Sequence, residues 1–140
     1  MSADLTARHP AVRVGVDIVR ISDVEHSLAQ LGERYLQRLY TDDEIAYAQA
    51  GSVMAERLAA RFAAKEAALK ALDLCHSNVN LKEIESVRQP DGKCVLRFHG
   101  QVSEILSRQA PFSSDLSLSH DGGYAIAAVA ILVTPHHTTT

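Results

Sequence analysis

The run YAIAAVAILV, from Tyr124 to Val133, is almost unbroken apolar sequence, and the turn residues Asp121-Gly122-Gly123 stand directly before it. It falls well short of the roughly 18 residues that a membrane-spanning helix needs, so a short central strand is the remaining reading. The preceding DLSLSH supplies its partner in a hairpin. A second hairpin is written in LKEIESVR, the PDG turn at 90–92, and KCVLRFH. Near the start, AVRVGVDIVRI alternates and is rich in Val and Ile, which predicts a third strand region. Gly15 marks a point where another backbone can approach it closely, and Asp17 lies in its middle.

Between the first strand and the first hairpin the period changes to that of helices. Ser22 and Glu25 have the spacing of a capping box, with Val24, Leu28 and Leu31 following on one face. Gly32 interrupts that pattern before ERYLQRLY resumes it. Thr41 and Glu44 repeat the capping device, and Gly51 closes the short helix they begin. A long helix is predicted from about Met54 to Leu72, and a further one over Gly100 to Gln109. The resulting order is one strand, three helices, a hairpin, a helix and a hairpin, which defines an α+β layout.

The whole chain has 140 residues, 46% of them hydrophobic, enough for one domain spanning about 11–133 with flexible termini at 1–10 and 134–140. Trp is absent and aromatics make up 5%, so the core must come from Leu, Ile, Val and Ala. Cys75 and Cys94 lack CxxC spacing and no secretory segment precedes them, which predicts free thiols and a cytoplasmic location. A formal charge of −3 argues against general nucleic-acid binding, and no apolar run of membrane-spanning length is present. Any anionic ligand must therefore meet a local basic cluster.

The long helix offers one. In RLAARFAAKEAALKAL, Glu66 and Lys70 lie four apart on one face, while Arg57, Arg61 and Lys65 form a second row and Leu58, Phe62 and Leu69 a buried stripe. A surface helix with a simple ion pair would account for this much. Asp17 adds weight to a functional reading, because a carboxylate in an apolar strand is costly to bury unless paired or bound to a cation, although a solvated strand face would also permit it. Two carboxylates on separate elements suit Mg²⁺, and Lys70 with Arg61 would neutralise phosphate. Ser119, His120 and Asp121 are consecutive, so on a strand they point to alternate faces and form no hydrolase triad. There is no P-loop or GxGxxG, so phosphate recognition must come from side chains and helix ends.

The blocks VGVDIVRI, RFAAKEAALKAL, LKEIES with DGK, and LSLSHDGGYAIAAVAI together resemble holo-acyl carrier protein synthase, the short single-domain class of 4′-phosphopantetheinyl transferases. The resemblance covers nearly all of the expected domain. It implies that fold, with a small antiparallel sheet packed on a long helix. It also implies transfer of phosphopantetheine from coenzyme A to a serine of an apo carrier protein, dependence on Mg²⁺, and a homotrimer with sites between subunits. Asp17 and Glu66 match the family's metal-binding carboxylates. Lys70 matches the lysine that stabilises the transferring phosphate, making Asp17, Glu66 and Lys70 the expected catalytic group. Arg61 and His120 match contacts to the nucleotide part of coenzyme A, and Lys65 and Lys70 are counted with them as coenzyme A-binding residues.

Two departures accompany the resemblance. Asp23 and Glu25 stand on the first helix, where the family usually presents basic residues to an acidic carrier; Arg20, Arg34 and Arg38 are the available substitutes. After the long helix, DLCHSN replaces the family's Gly-Thr-Gly turn. They lead to the expectation of a specialised transferase serving a dedicated carrier, for instance in polyketide or nonribosomal synthesis. The alternative is a catalytically weak relative that binds coenzyme A or a carrier as a scaffold or regulatory subunit.

Overall fold

A computed structural model describes residues 11–134. Strand β1 (Ala11–Arg20) leads into helices α1 (Ile21–Leu31), α2 (Glu33–Leu39), α3 (Asp42–Gln49) and the long α4 (Met54–Ala71). Strands β2 (Ile84–Arg88) and β3 (Cys94–Phe98), helix α5 (Gly100–Ser107), and strands β4 (Phe112–Asp121) and β5 (Tyr124–Val133) complete the order. The α+β layout and both hairpins are as expected, and β5 is central in the three-stranded antiparallel sheet β1-β5-β4. Of the termini expected at 1–10 and 134–140, all but Thr134 lie outside the described residues. No helix among the described residues is long and apolar enough to cross a membrane.

Four helices, rather than three, separate β1 from β2. Gly32 takes φ 53° and ψ −128°, a conformation that ends α1 and starts α2 in a new direction. The Ser22–Glu25 capping box does not form. Strand β1 runs straight into α1, Arg20 is the N-cap, and the Ile21 amide donates to the Gly123 carbonyl at 2.9 Å, so the helix begins two residues too early for Ser22 to cap it. The Thr41–Glu44 box does form: Thr41 Oγ1 accepts from the Glu44 amide at 3.2 Å and Glu44 Oε1 from the Thr41 amide at 2.9 Å.

Helix α4 is the axis of the molecule. Leu58, Ala59, Ala63, Ala64, Ala67 and Ala68 are fully buried, with α1–α3 against one side and the sheet and α5 against the other. Its alanines allow close approach. A Cβ placed on Gly15 would lie 1.9 Å from the Ala67 carbonyl oxygen, so β1 and α4 meet main chain to main chain there. The helix ends in a Schellman motif: the Leu74 amide donates to Leu69 O at 2.8 Å and the Asp73 amide to Lys70 O at 3.3 Å. Asp73 takes the left-handed φ of 57° that glycine usually supplies at this position.

Strand alternation splits the sheet into two unlike faces. Ala125, Ala127, Val129 and Ile131 of β5 face inward and are buried. On the outer face Val12, Val14, Val16 and Ile18 of β1, with Tyr124, Ile126 and Leu132 of β5, are exposed.

Candidate active site

Asp17 shares the inward face of β1 with Gly15, and the contact at Ala67 brings the last turns of α4 beside it. Lys70 crosses from the helix to the strand. Its Nζ donates to the Val16 carbonyl at 2.8 Å and stands 3.4 Å from Asp17 Oδ1, with the lysine side chain 47% and the aspartate 21% exposed. Among the described residues, Lys70 pairs with this strand carboxylate rather than with Glu66 on its own helix. Glu66 lies half-buried close by, and its carboxyl is pushed above the usual range by burial and then by the charge of Asp17, against the opposing pull of Lys70. Two carboxylates and one ammonium thus converge at a partly open surface. Asp17 and Glu66 supply two hard oxygen donors, and burial together with the nearby Asp17 charge makes Glu66 costly to ionise, a setting that a divalent cation relieves.

A largely apolar cavity of about 640 Å³ lies where the end of β1 meets α1, α2 and α4, lined by Val19, Val24, Tyr35 and Phe62, with Arg20 and Asp23 also in its wall; Asp17, Glu66 and Lys70 do not line it. Phe62 is one helical turn before Glu66.

Arg61 and His120 occupy a different place. From Arg61 to Lys70 is nine residues, about two and a half turns, so the two project from opposite sides of α4. His120, at the end of β4, meets Glu56 of α4 through Nε2 at 2.9 Å and lines a cleft of about 380 Å³ with Arg57, Arg61 and Arg88. The sequence reading did not find Tyr47, Glu56 or Arg88 in this cleft. They come from α3, α4 and β2, and no local spacing links them.

Lys65 does not reach either place, which corrects its reading as a ligand-binding residue of the exposed row. It is 0% exposed and donates to Glu44 Oε1 at 2.7 Å, Leu81 O at 2.9 Å and Ile84 O at 2.6 Å, so all three of its protons are taken. Burial lowers its proton affinity, and Glu44 opposes that shift. Glu44 also accepts from the Ser86 amide at 3.1 Å, and Glu85 next to it accepts from Thr41 Oγ1 at 2.7 Å and meets His99 Nε2 at 2.9 Å. This network ties α3, α4 and β2 together.

Residues 13–129 match the 4′-phosphopantetheinyl transferase superfamily, and the chain belongs to it. Within the superfamily its relatives are holo-[acyl-carrier-protein] synthases. That of Koribacter versatilis is 38% identical over 84% of this chain and 94% of its own length, and that of Carboxydothermus hydrogenoformans is 42% identical over 81% and 91%. Among solved structures, the ACPS–CoA complex of Chronobacterium ammoniagenes is similar, with a TM-score of 0.78, 32% identity and coverage of 89% of this chain and 98% of that one. The Helicobacter pylori holo-[acyl-carrier-protein] synthase in complex with coenzyme A gives a TM-score of 0.72 at 27% identity, covering 84% and 98%.

Proposed function

We propose that this protein transfers 4′-phosphopantetheine from coenzyme A to a serine of an apo carrier protein, releasing 3′,5′-ADP. The observation that carries the reading is the convergence of Asp17, Glu66 and Lys70 at the close contact of β1 and α4, in a chain of this family. The serine oxygen forms a bond to the β-phosphorus of coenzyme A while the bond from that phosphorus to the bridging oxygen breaks, and the nucleotide departs with the electron pair. Lys70 stabilises the charge that grows on the phosphate oxygens. Glu66, with its raised proton affinity, suits the role of base for the serine proton. Asp17 and Glu66 would hold Mg²⁺, whose contribution when bound is to neutralise the pyrophosphate.

The Arg61–His120 cleft takes the nucleotide end of coenzyme A. Because it opens on the other side of α4 from Lys70, one complete site draws on two copies of the chain. The exposed apolar face of the sheet provides the means of association. A contact that joins the Asp17 side of one copy to the His120 side of the next is heterologous, and such contacts form a ring when the rotation between copies closes, of which a homotrimer is the smallest beyond a pair. The cytoplasm suits the two free cysteines.

The carrier approaches over α1. Asp23 and Glu25 are exposed there, which disfavours a strongly acidic partner and supports a dedicated carrier rather than a general fatty-acid one. Intact-mass measurement of a panel of apo carriers, incubated with the protein, coenzyme A and Mg²⁺, tests both points. A gain of one phosphopantetheine identifies the substrate carriers. Coenzyme A binding with no mass gain on any carrier would favour the scaffold reading, and equal rates on fatty-acid and specialised carriers would remove the dedicated-carrier reading.

A further inference from the structure

Lys70 has two anchors of different kinds on β1. Its Nζ donates to the Val16 carbonyl at 2.8 Å and stands 3.4 Å from Asp17 Oδ1. The shorter contact is with main chain, which stays with the strand whatever binds beside it. The longer one is with a carboxylate whose charge also reaches Glu66. A lysine ammonium carries three protons, so one is left that neither anchor takes, and with 47% of the side chain exposed the group has room to turn. Lys65 is the contrast: at 0% exposure, with three acceptors around it, it has no such freedom. A partly exposed lysine–carboxylate pair is weak, worth about fivefold at most in an equilibrium. It nonetheless seats a cation on the carboxylate oxygen that a divalent ion would use.

We propose that Lys70 is an exchangeable counter-ion for Asp17: it yields Oδ1 to an entering divalent cation and, pivoting on the Val16 carbonyl, turns its freed protons toward the substrate phosphate. The inference rests on the metal and coenzyme A readings above. Two cations on one carboxylate oxygen repel, and the ammonium has a second acceptor that keeps it in the site when it leaves the first. The Lys70–Asp17 contact therefore works as a weak latch. When coenzyme A is absent, the displaced ammonium loses Asp17 and gains nothing, which lowers the affinity for the metal alone. When coenzyme A is present, the ammonium gains phosphate oxygens in exchange. Metal and coenzyme A then bind cooperatively, each tightening the other by the same factor.

Lysine isotopically enriched at its ε-carbon and followed by NMR in the full chain reports the exchange directly. The chain's lysines are Lys65, Lys70, Lys82 and Lys93, so the Lys70→Met spectrum assigns the Lys70 signal, and the sealed Lys65 serves as internal reference. Titration of wild type with Mg²⁺ alone should move the Lys70 signal toward its position in Asp17→Asn while that of Lys65 stays in place. In parallel, Mn²⁺ binding is measured by electron paramagnetic resonance with and without coenzyme A, with thermal melting as the check on folding. Lys70→Met and Lys70→Gln should bind Mn²⁺ alone about threefold to fivefold more tightly than wild type. With coenzyme A present the order should reverse, both variants binding Mn²⁺ more weakly than wild type. A Lys70 signal that does not move at saturating Mg²⁺, or variants that bind Mn²⁺ alone no better than wild type, would overturn the proposal and leave the transferase reading intact. So would variants that keep their advantage when coenzyme A is bound. A wild type that binds neither Mn²⁺ nor coenzyme A and modifies no carrier removes both.

Discussion

The Lys70 ammonium stands 3.4 Å from Oδ1 of Asp17, a residue 53 positions earlier in the chain, while Lys65, one turn and a residue before it on the same helix, is sealed against Glu44. The two lysines answer to different energetics. Lys70→Ala removes a partly exposed pair worth at most about 1 kcal/mol of stability, but it removes charge stabilisation at the reacting phosphate. A fall in kcat of about 100-fold with little change in melting temperature is expected. Lys65→Met leaves Glu44 buried without its counter-ion and should cost about 3–5 kcal/mol in denaturant unfolding. Similar melting behaviour of the two variants would contradict this division.

Glu66→Gln separates the stability of the site from its chemistry. The folded protein holds the Glu66 proton more tightly than an unfolded chain does, because burial and Asp17 raise its affinity. This contribution to stability is fully present below the unfolded-state value of 4.5 and is lost as pH rises through the higher folded-state value. Glu66→Gln removes that loss. In the absence of divalent cations the variant should melt above wild type at neutral pH, the difference should vanish under acid conditions, and carrier modification should be abolished.

Asp73 holds a left-handed conformation at the end of α4, and for a residue other than glycine that conformation costs roughly 1–2 kcal/mol. Asp73→Gly should stabilise the fold by about 1 kcal/mol, read as a shift in denaturant midpoint at unchanged slope. No gain would mean that the Asp73 side chain compensates locally.

Copies that share a site can complement one another. Glu66→Gln and Arg61→Ala chains should each be inactive alone, yet co-expression should restore about a quarter of the sites, those that draw Glu66 from one variant and Arg61 from the other. Val14→Glu, on the exposed outer face, should yield folded monomers by sedimentation and lose most activity. Complete absence of complementation in mixed assemblies would place each site within a single chain.

Much of the architecture is legible along the sequence because it is local. The apolar run at Tyr124–Val133, the two hairpin turns, the Thr41–Glu44 cap and the alanine-rich helix each depend on neighbours a few residues away. Gly15 is also readable, since a glycine in a β-branched strand signals close approach. Ser22 misleads, because the start of α1 is set by a hydrogen bond from Ile21 to the distant Gly123. The row of Arg57, Arg61 and Lys65 misleads in another way. Spacing places three cations along a helix, but Glu44, Leu81 and Ile84 decide that Lys65 turns into the interior, and Tyr47 decides where the arginines go. The pairing of Asp17 with Lys70 joins two motifs whose individual patterns say nothing about their distance apart.

At Gly15 and Ala67 no side chain intervenes between strand and helix, so the spacing of the Asp17 and Glu66 attachment points is a property of two backbones in contact. Side-chain volume elsewhere in the core has little leverage over it. Sequence can therefore drift through the apolar interior, with the usual gains and losses of stability, while the reacting group keeps its gauge.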